Sequence, residues 1–224
     1  MLLYLAFVIP PLLIGLWAQH WVKSSFAKWS QVPAGAVTGA DVARRILSAN
    51  GLSAIPVSVT PGELSDHYDP RDRSVHLSQA VAQSSSVASI AVAAHEVGHA
   101  IQHARGNAFF QVRTALAGPV QIASQLWYLP LLGGIFLQQL GLIKIAIALY
   151  ALVVLFHIVT LPVELDASRR AMGQLEQLGV TQDGTIHAGA RNVLTAAAMT
   201  YVAGALAALS QLAYFIFAFL GQRN

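Results

Sequence analysis

The stretch that decides the fold is Ala91 to His103, which reads AVAAHEVGHAIQH. On a helix, His95 and His99 lie four residues apart and therefore on the same face. Two imidazoles at this spacing can hold one zinc ion, and Glu96 is then placed to act as general base on a water molecule. The HExxH pattern thus predicts His95 and His99 as metal ligands and Glu96 as the catalytic residue. The alternative is a buried helix with two hydrogen-bonded histidines.

The composition is typical of a membrane protein. Hydrophobic residues make up 55% of the 224 and charged residues only 10%, whereas about 25% of a soluble globular domain is charged. The chain has no cysteine, so any metal must be held by histidine and carboxylate. The formal net charge is +3, and the basic residues are scattered rather than gathered in a stripe. We therefore expect no nucleic-acid partner.

Four uncharged runs are long enough to cross a lipid bilayer. Residues 1–22 are interpreted as a retained transmembrane helix, because this run lacks the basic start and small-residue cleavage site of a signal peptide. Residues 114–163 are expected to form a hairpin of two spans, and residues 193–224 a fourth span with the carboxyl terminus. The predicted fold is a mainly α membrane protein with about four transmembrane helices and a small α+β region.

Residues 23–113 are expected to form the α+β region, which carries the metal helix. Thr38 and Asp41 are typical of a capping box, in which the side chain of the cap residue and that of the third helical residue bond reciprocally to the backbone. The helix that they begin is expected to end at Asn50-Gly51, since glycine favours the left-handed conformation that ends many helices.

Two short strands and the limits of the metal helix are also predicted. Residues 55–60 alternate and are rich in β-branched side chains, which favours a strand. A second strand, Ser74–Ser78, is interpreted either as an ordinary structural strand or as one that pairs with an extended substrate. Ser78 or Ser84 is the expected cap of the metal helix, which should end near Gly106.

The basic residues are distributed unevenly along the chain. The connections 23–113 and 164–192 hold eleven of the 13 lysines and arginines, and all ten acidic residues. Lysine and arginine are enriched on the cytoplasmic side of membrane proteins. The sequence therefore predicts a multi-pass protein with its amino terminus outside and its active site facing the cytosol.

The third metal ligand is predicted from the few glutamates. A catalytic zinc of this type takes two histidines and one glutamate, with the fourth position left open. Of the four glutamates, Glu96 is already assigned as the base, Glu63 precedes the helix on a turn, and Glu176 lies at the end of a polar helix. Two crossings separate Glu164 from His99, so both emerge on one side of the membrane and Glu164 is the predicted ligand. The alternative is that Glu164 only begins a helix, where a carboxylate suits the dipole.

Peptide hydrolysis at such a site also needs a donor for the oxyanion. His67, Tyr68 and Tyr201 are candidates by residue type alone. His103 lies one turn beyond His99 and is a further possible ligand. We favour a place beside the ligands or at the surface for His103, because a third helical turn is too far from one small ion.

Four segments of the sequence together resemble one family. They are SDHYDPRDRSVHLS at 65–78, HEVGHAIQH at 95–103, LPVELDASRRA at 161–171 and NVLTAAAMTYVAGAL at 192–206. Over nearly its whole length the chain resembles the YugP-type membrane neutral zinc metallopeptidases of bacteria.

The resemblance implies a zinc endopeptidase of the bacterial plasma (inner) membrane that acts on protein or peptide substrates at the lipid bilayer. It implies one Zn²⁺ per chain, held by His95, His99 and Glu164, with Glu96 as catalytic acid and base. The cytosolic region is then expected to be zincin-like.

The family is distantly similar to the HtpX and CAAX-protease gluzincins, which usually carry an aspartate four residues after the glutamate ligand. Here Ser168 stands at that position, and Asp166 lies two residues after Glu164 on another face of the helix, so the role of that aspartate is not transferred. Two other classes are considered: a catalytically silent scaffold (a pseudoprotease) and an intramembrane site-2-type protease. The second uses an aspartate inside a later span, and the uncharged runs here contain none.

Overall fold

The computed structural model describes residues 2–219, which form eight helices and one small three-stranded sheet. The elements are α1 (Leu2–Trp29), α2 (Gly39–Ala49), β1 (Val57–Thr60), β2 (His67–Asp69), β3 (Ser74–Ser78), α3 (Gln79–Gln83), α4 (Val87–Ala104), α5 (Ala108–Leu126), α6 (Tyr128–Phe136), α7 (Leu140–Gln177) and α8 (Gly184–Phe219). The expected fourth span ends at residues 220–224, which lie outside the described part.

Among the described residues, three helices are long and apolar enough to cross a membrane: α1, α7 and α8. The chain is therefore a multi-pass membrane protein, but the prediction of four spans is not confirmed. The expected second span is divided between α5 and α6, which meet at Trp127. Pro130 lies in the first turn of α6, where its missing N–H costs nothing, so the sequence favours a new helix start there.

Helix α7 differs from the expected division into a span and a separate helix that begins at residue 164. It is one helix of 38 residues with Pro162 inside it. A fully buried stripe at four-residue spacing continues past this proline: Val163, Ala167, Ala171 and Leu175. Because that stripe packs into the core beside α4, packing keeps the helix continuous where the local sequence favours a break.

Helix α1 also runs past its predicted end at residue 22 and contains Pro10 and Pro11. Proline has no N–H, so Pro11 leaves the carbonyl oxygen of Phe7 without its helical donor. The hydroxyl of Ser210 in α8 donates to that oxygen at 2.6 Å. An unsatisfied carbonyl is costly inside a bilayer, and the neighbouring helix supplies the missing donor.

The other end of the α1–α8 pair is joined by Asn192. Its side-chain oxygen accepts hydrogen bonds from the hydroxyl of Ser25 at 2.8 Å and from the indole N–H of Trp29 at 3.1 Å. Residue 7 faces residue 210 while residue 25 faces residue 192, so the two helices are antiparallel. Helix α8 begins at Gly184, before the predicted boundary at 193.

The first helix of the α+β region, α2, begins and ends close to the limits predicted from the sequence. The predicted capping box is confirmed, because Thr38 and Asp41 bond reciprocally at the start of α2. The helix ends at Ala49, and Gly51 follows with a φ of +73°. This positive φ is one that glycine adopts without strain.

The three strands have the order β1-β3-β2, with β3 parallel to β1 and antiparallel to β2. The predicted strand Ser74–Ser78 is thus the central strand. Both of its edges are already paired, so the interpretation that it pairs with a substrate is wrong. The free edges belong to β1 and β2, the shorter strands.

The metal helix α4 is capped by Ser86, whose hydroxyl accepts from the backbone N–H of Ser89 at 3.2 Å. The expected caps were Ser78, which instead begins the short helix α3, and Ser84, which precedes α4 by three residues. Helix α4 ends at Ala104, and Gly106 follows with a φ of +65°, as predicted.

Candidate metal centre

The structure brings the three predicted ligands together. One ligand atom from each of His95, His99 and Glu164 lies within 4.8 Å of the other two. The Oε2 atom of Glu164 is 3.2 Å from Nε2 of His95 and 3.6 Å from Nε2 of His99. Two residues of α4 and one residue of α7, far apart in sequence, thus point their donor atoms at one position.

A close approach of the two helices makes this arrangement possible. Gly98 lies between the two histidines, and a Cβ atom added to it would be only 2.7 Å from the carbonyl oxygen of Ala167 in α7. Such a contact is shorter than packed atoms tolerate, so any larger residue at position 98 forces the helices apart. The glycine of the HExxH segment therefore sets the distance between the histidines and Glu164.

The chemistry of the cluster fits a divalent cation. Glu164 is only 1% exposed, and its Oε1 atom is buried without a hydrogen-bond partner. The guanidinium of Arg113 lies 3.4 Å from that atom. A buried carboxylate needs compensating positive charge, and two imidazole nitrogens with one carboxylate oxygen are a zinc donor set.

The side chain of Gln102, which the sequence reading did not single out, determines the tautomer of His99. Its amide nitrogen donates to the carbonyl oxygen of Val163 and to Asp166, both at 2.8 Å. Its oxygen therefore faces Nδ1 of His99 at 3.0 Å. Since an amide oxygen only accepts, Nδ1 carries the hydrogen and Nε2 presents a lone pair toward Glu164.

Asp166 thus takes part in the centre through Gln102, although it lies on another face of α7 than Glu164. Its carboxylate also accepts from the guanidinium of Arg170 at 2.7 Å. The position four residues after Glu164 is used as well: the hydroxyl of Ser168 lies 3.2 Å from Nδ1 of His95. The sequence did not single out Gln102, and it named Ser168 without predicting its contact with His95, because both contacts depend on how α4 and α7 pack.

Glu96 lies beside the cluster and is 8% exposed. Burial in apolar surroundings raises the pKa of its carboxyl group to about 7, and the negative charge of Glu164 adds to this effect. A general base works best when its pKa lies near the working pH. The environment of Glu96 therefore suits a group that both accepts and returns a proton.

A cleft of about 140 Å³ leads to the cluster. Its walls come from α1, the loop before β2, α4 and α8; the lining residues are Val22, Phe26, Leu64, Asp66, Val92, His95, Glu96, Val193, Leu194, Ala197 and Tyr201. Of the three oxyanion candidates, Tyr201 is the one in this lining. Asp66 also lines the cleft, and its carboxylate accepts from the backbone N–H of Ser78 at 2.7 Å.

The other two oxyanion candidates have different partners. The hydroxyl of Tyr68 lies 2.9 Å from Nδ1 of His103, and His67 stacks on His76 with ring centroids 4.7 Å apart. His103 is outside the three-residue cluster and packs on the ring of Phe110. Burial lowers the pKa of His103, and its contacts with Tyr68 and Phe110 tie the end of α4 to β2 and α5.

Long apolar helices together with a cluster of two histidines and a glutamate are typical of one class, the membrane-bound metallopeptidases. Comparison with known sequences gives the family: residues 4–220 match the one described as "Putative neutral zinc metallopeptidase", and the chain belongs to it. The chain is also 42% identical over 224 residues to "Putative membrane protease YugP" of Bacillus subtilis (strain 168), covering 100% of this chain and 99% of that protein. No solved structure matches the chain significantly.

Proposed function

We propose that the protein is an integral-membrane zinc endopeptidase of the gluzincin type, which hydrolyses peptide bonds of membrane or membrane-proximal proteins. The observation that carries the proposal is the convergence of His95, His99 and Glu164 within 4.8 Å, beside the buried Glu96. These three residues would hold one zinc ion per chain. The family membership supports the same assignment.

Proton transfer and oxyanion stabilisation, the two steps that need protein groups, are each assigned to a residue that lines the cleft. Bound zinc supplies Lewis-acid chemistry, which acidifies water and polarises a carbonyl. The carboxylate of Glu96 accepts the proton of the attacking water and passes it to the nitrogen of the leaving amine. The hydroxyl of Tyr201, which lines the same cleft, is the proposed donor to the developing oxyanion.

The cleft is proposed to lie at the cytosolic face of the plasma membrane. Helix α7 has 24 residues from Leu140 to Val163, which span about 36 Å at 1.5 Å per residue. The hydrocarbon core is about 30 Å thick, so Glu164 emerges at its boundary. The excess of lysine and arginine on this side supports a cytosolic orientation.

Helices α5 and α6 together are the proposed fourth crossing, and Gly134 of α6 packs against Ile143 near the start of α7. Near its beginning, Arg113 lies 3.4 Å from Glu164 in the second half of α7. Beyond its end, the ring of Trp127 lies 5.0 Å from that of Tyr150 in the first third of α7. Helix α5 therefore runs antiparallel to a membrane-spanning helix along most of its length, which supports the hairpin proposed for residues 114–163.

The test is the metal content of the detergent-purified protein, prepared without chelators, for wild type, Glu164→Ala and Glu96→Gln. We expect near-stoichiometric zinc in wild type, loss of zinc in Glu164→Ala, and zinc without peptide hydrolysis in Glu96→Gln. Glu176→Ala is the matched control on the same helix, since Glu176 is exposed and bonds to His187.

Each departure from this pattern has a distinct meaning. Absence of zinc from wild type would favour the catalytically silent scaffold. Retention of zinc by Glu164→Ala would show that a different residue completes the ligand set.

A further inference from the structure

The walls of the cleft are apolar where they face the space beside Glu96. Two of them come from α1 and α8, the antiparallel helices joined through Asn192. Val22 and Phe26 contribute from α1, and Val193 and Ala197 contribute from α8. A substrate residue that enters this space is therefore surrounded by aliphatic and aromatic side chains.

The charged groups at the cleft do not make this space polar. The carboxylate of Asp66 accepts from both the backbone N–H and the hydroxyl of Ser78. It is turned toward the sheet by these bonds, and burial raises its pKa. His95 and Glu96 form the reactive end of the cleft. No lysine or arginine is among the lining residues, so an acidic substrate residue finds no guanidinium or ammonium partner there.

The size of the space limits what it can hold. At about 140 Å³, the cleft is well below the 300–1,000 Å³ of a pocket for a drug-sized ligand. It has room for one medium-sized side chain. Phe26 is the largest apolar residue in its lining and Ala197 is the smallest, so a smaller side chain at 26 enlarges the space and a larger one at 197 fills it.

We propose that this cleft is the specificity subsite of the enzyme, and that it selects one aliphatic residue of valine or leucine size next to the scissile bond. The inference rests on the proposed peptidase function and names its substrate class. Because α1 and α8 form the walls at the membrane boundary, the substrate is a segment that emerges from the bilayer beside these two helices.

The experiment uses the full-length, zinc-loaded protein in detergent and a mixture of synthetic decapeptides with randomised central residues. Cleavage sites are identified by mass spectrometry. One side of the cleaved bonds should be enriched in valine, leucine and isoleucine, at least about 10-fold over alanine, because each methylene in an apolar pocket changes kcat/KM by about 10-fold or more. Aspartate should be depleted still further on that side, since no lysine or arginine lines the space.

Two variants change the width of the cleft in opposite directions. Phe26→Ala should move the preference toward phenylalanine and tyrosine, whereas Ala197→Phe should move it toward glycine and alanine. Leu16→Ala is the matched control on α1: Leu16 is 55% exposed and lies outside the lining, so the preference should not change. Zinc content is measured for every variant to show that the metal site is intact.

A second readout does not depend on turnover. In the Glu96→Gln background, the affinity of a fluorescein-labelled leucine peptide should exceed that of its aspartate counterpart at least about 10-fold, and Ala197→Phe should remove the difference. Cleavage without side-chain preference, or a preference that neither variant changes, overturns the subsite while leaving the peptidase in place. Failure to cleave any peptide overturns the proposed function, and the subsite with it.

Discussion

Gln102 holds His99 by a hydrogen bond of 3.0 Å to Nδ1, and it is itself held from the other side by α7. The orientation of the glutamine amide is fixed because both of its hydrogens point at acceptors. The Nε2 atom of His99, which faces Glu164, is thereby kept as a lone-pair donor. Such outer partners orient ligands and typically change metal affinity by 10- to 100-fold.

The first prediction concerns this bond. Gln102→Leu keeps most of the side-chain volume but removes the acceptor for His99 and the donor to Asp166, so zinc affinity should fall about 10- to 100-fold. The measurement is competition with a chelator of known affinity. Gln111→Leu, at an exposed position of α5, should leave the affinity unchanged; an equal loss in both variants would assign the effect to general destabilisation.

The second prediction concerns the approach of α4 to α7. Gly98→Ala places a methyl group 2.7 Å from the carbonyl oxygen of Ala167, so the helices must separate and the histidines move away from Glu164. We expect a loss of zinc binding and a destabilisation of about 1–3 kcal/mol, measured by thermal unfolding in detergent. Gly173→Ala is the control on α7, where an added Cβ meets nothing within 4 Å. It should be neutral or stabilising by up to about 1 kcal/mol.

The third prediction concerns pH and the metal-free protein. Burial raises the pKa of Glu96 to about 7 from an ordinary value of 4.5. The folded state thus binds this proton more tightly than the unfolded state does. The contribution of Glu96 to stability is then most favourable below pH 4.5, falls as the pH rises to about 7, and is constant above.

Glu96→Gln removes this dependence, because glutamine stays neutral. After chelation of the metal, the variant should be more stable than wild type at pH 8 by up to about 3 kcal/mol, and equally stable near pH 4. Thermal unfolding of both proteins across this range provides the test. A constant difference between them at all pH values would contradict the raised pKa.

The fourth prediction concerns the proline pair of α1. Ser210→Ala should cost about 0.6–1.7 kcal/mol, because the carbonyl oxygen of Phe7 loses its donor. In a Pro11→Ala background the helix supplies its own N–H, so the same serine substitution should cost less. A double-mutant cycle on detergent-purified protein measures the difference. Purely additive effects would show that Ser210 does not compensate for Pro11.

Features written in local sequence were predicted well. Thr38 and Asp41 determine the start of α2 through bonds within four residues, and the four-residue spacing of His95 and His99 places both on one face whatever surrounds them. The position of Glu164 beside these histidines was predicted from the two crossings that separate it from α4. In each case the decisive information lies in the spacing of residues along the chain.

Features that depend on tertiary packing were not predicted. Pro162 favours a helix end, yet α7 continues because Ala167 and the rest of its buried stripe pack into the core. Gln102 reads as an ordinary polar residue at the end of a helix, and its partners Val163 and Asp166 lie more than 60 residues away. The central place of Ser74–Ser78 also depends on pairing with both neighbours.

The continuity of α7 has a mechanical consequence. One continuous helix carries both the long apolar segment and Glu164, so no loop separates the two. Adding or removing a single residue before Glu164 rotates that side chain by about 100° and shifts it by about 1.5 Å along the axis. The length of the hydrophobic segment therefore determines both the direction in which the Glu164 side chain points and its height above the membrane.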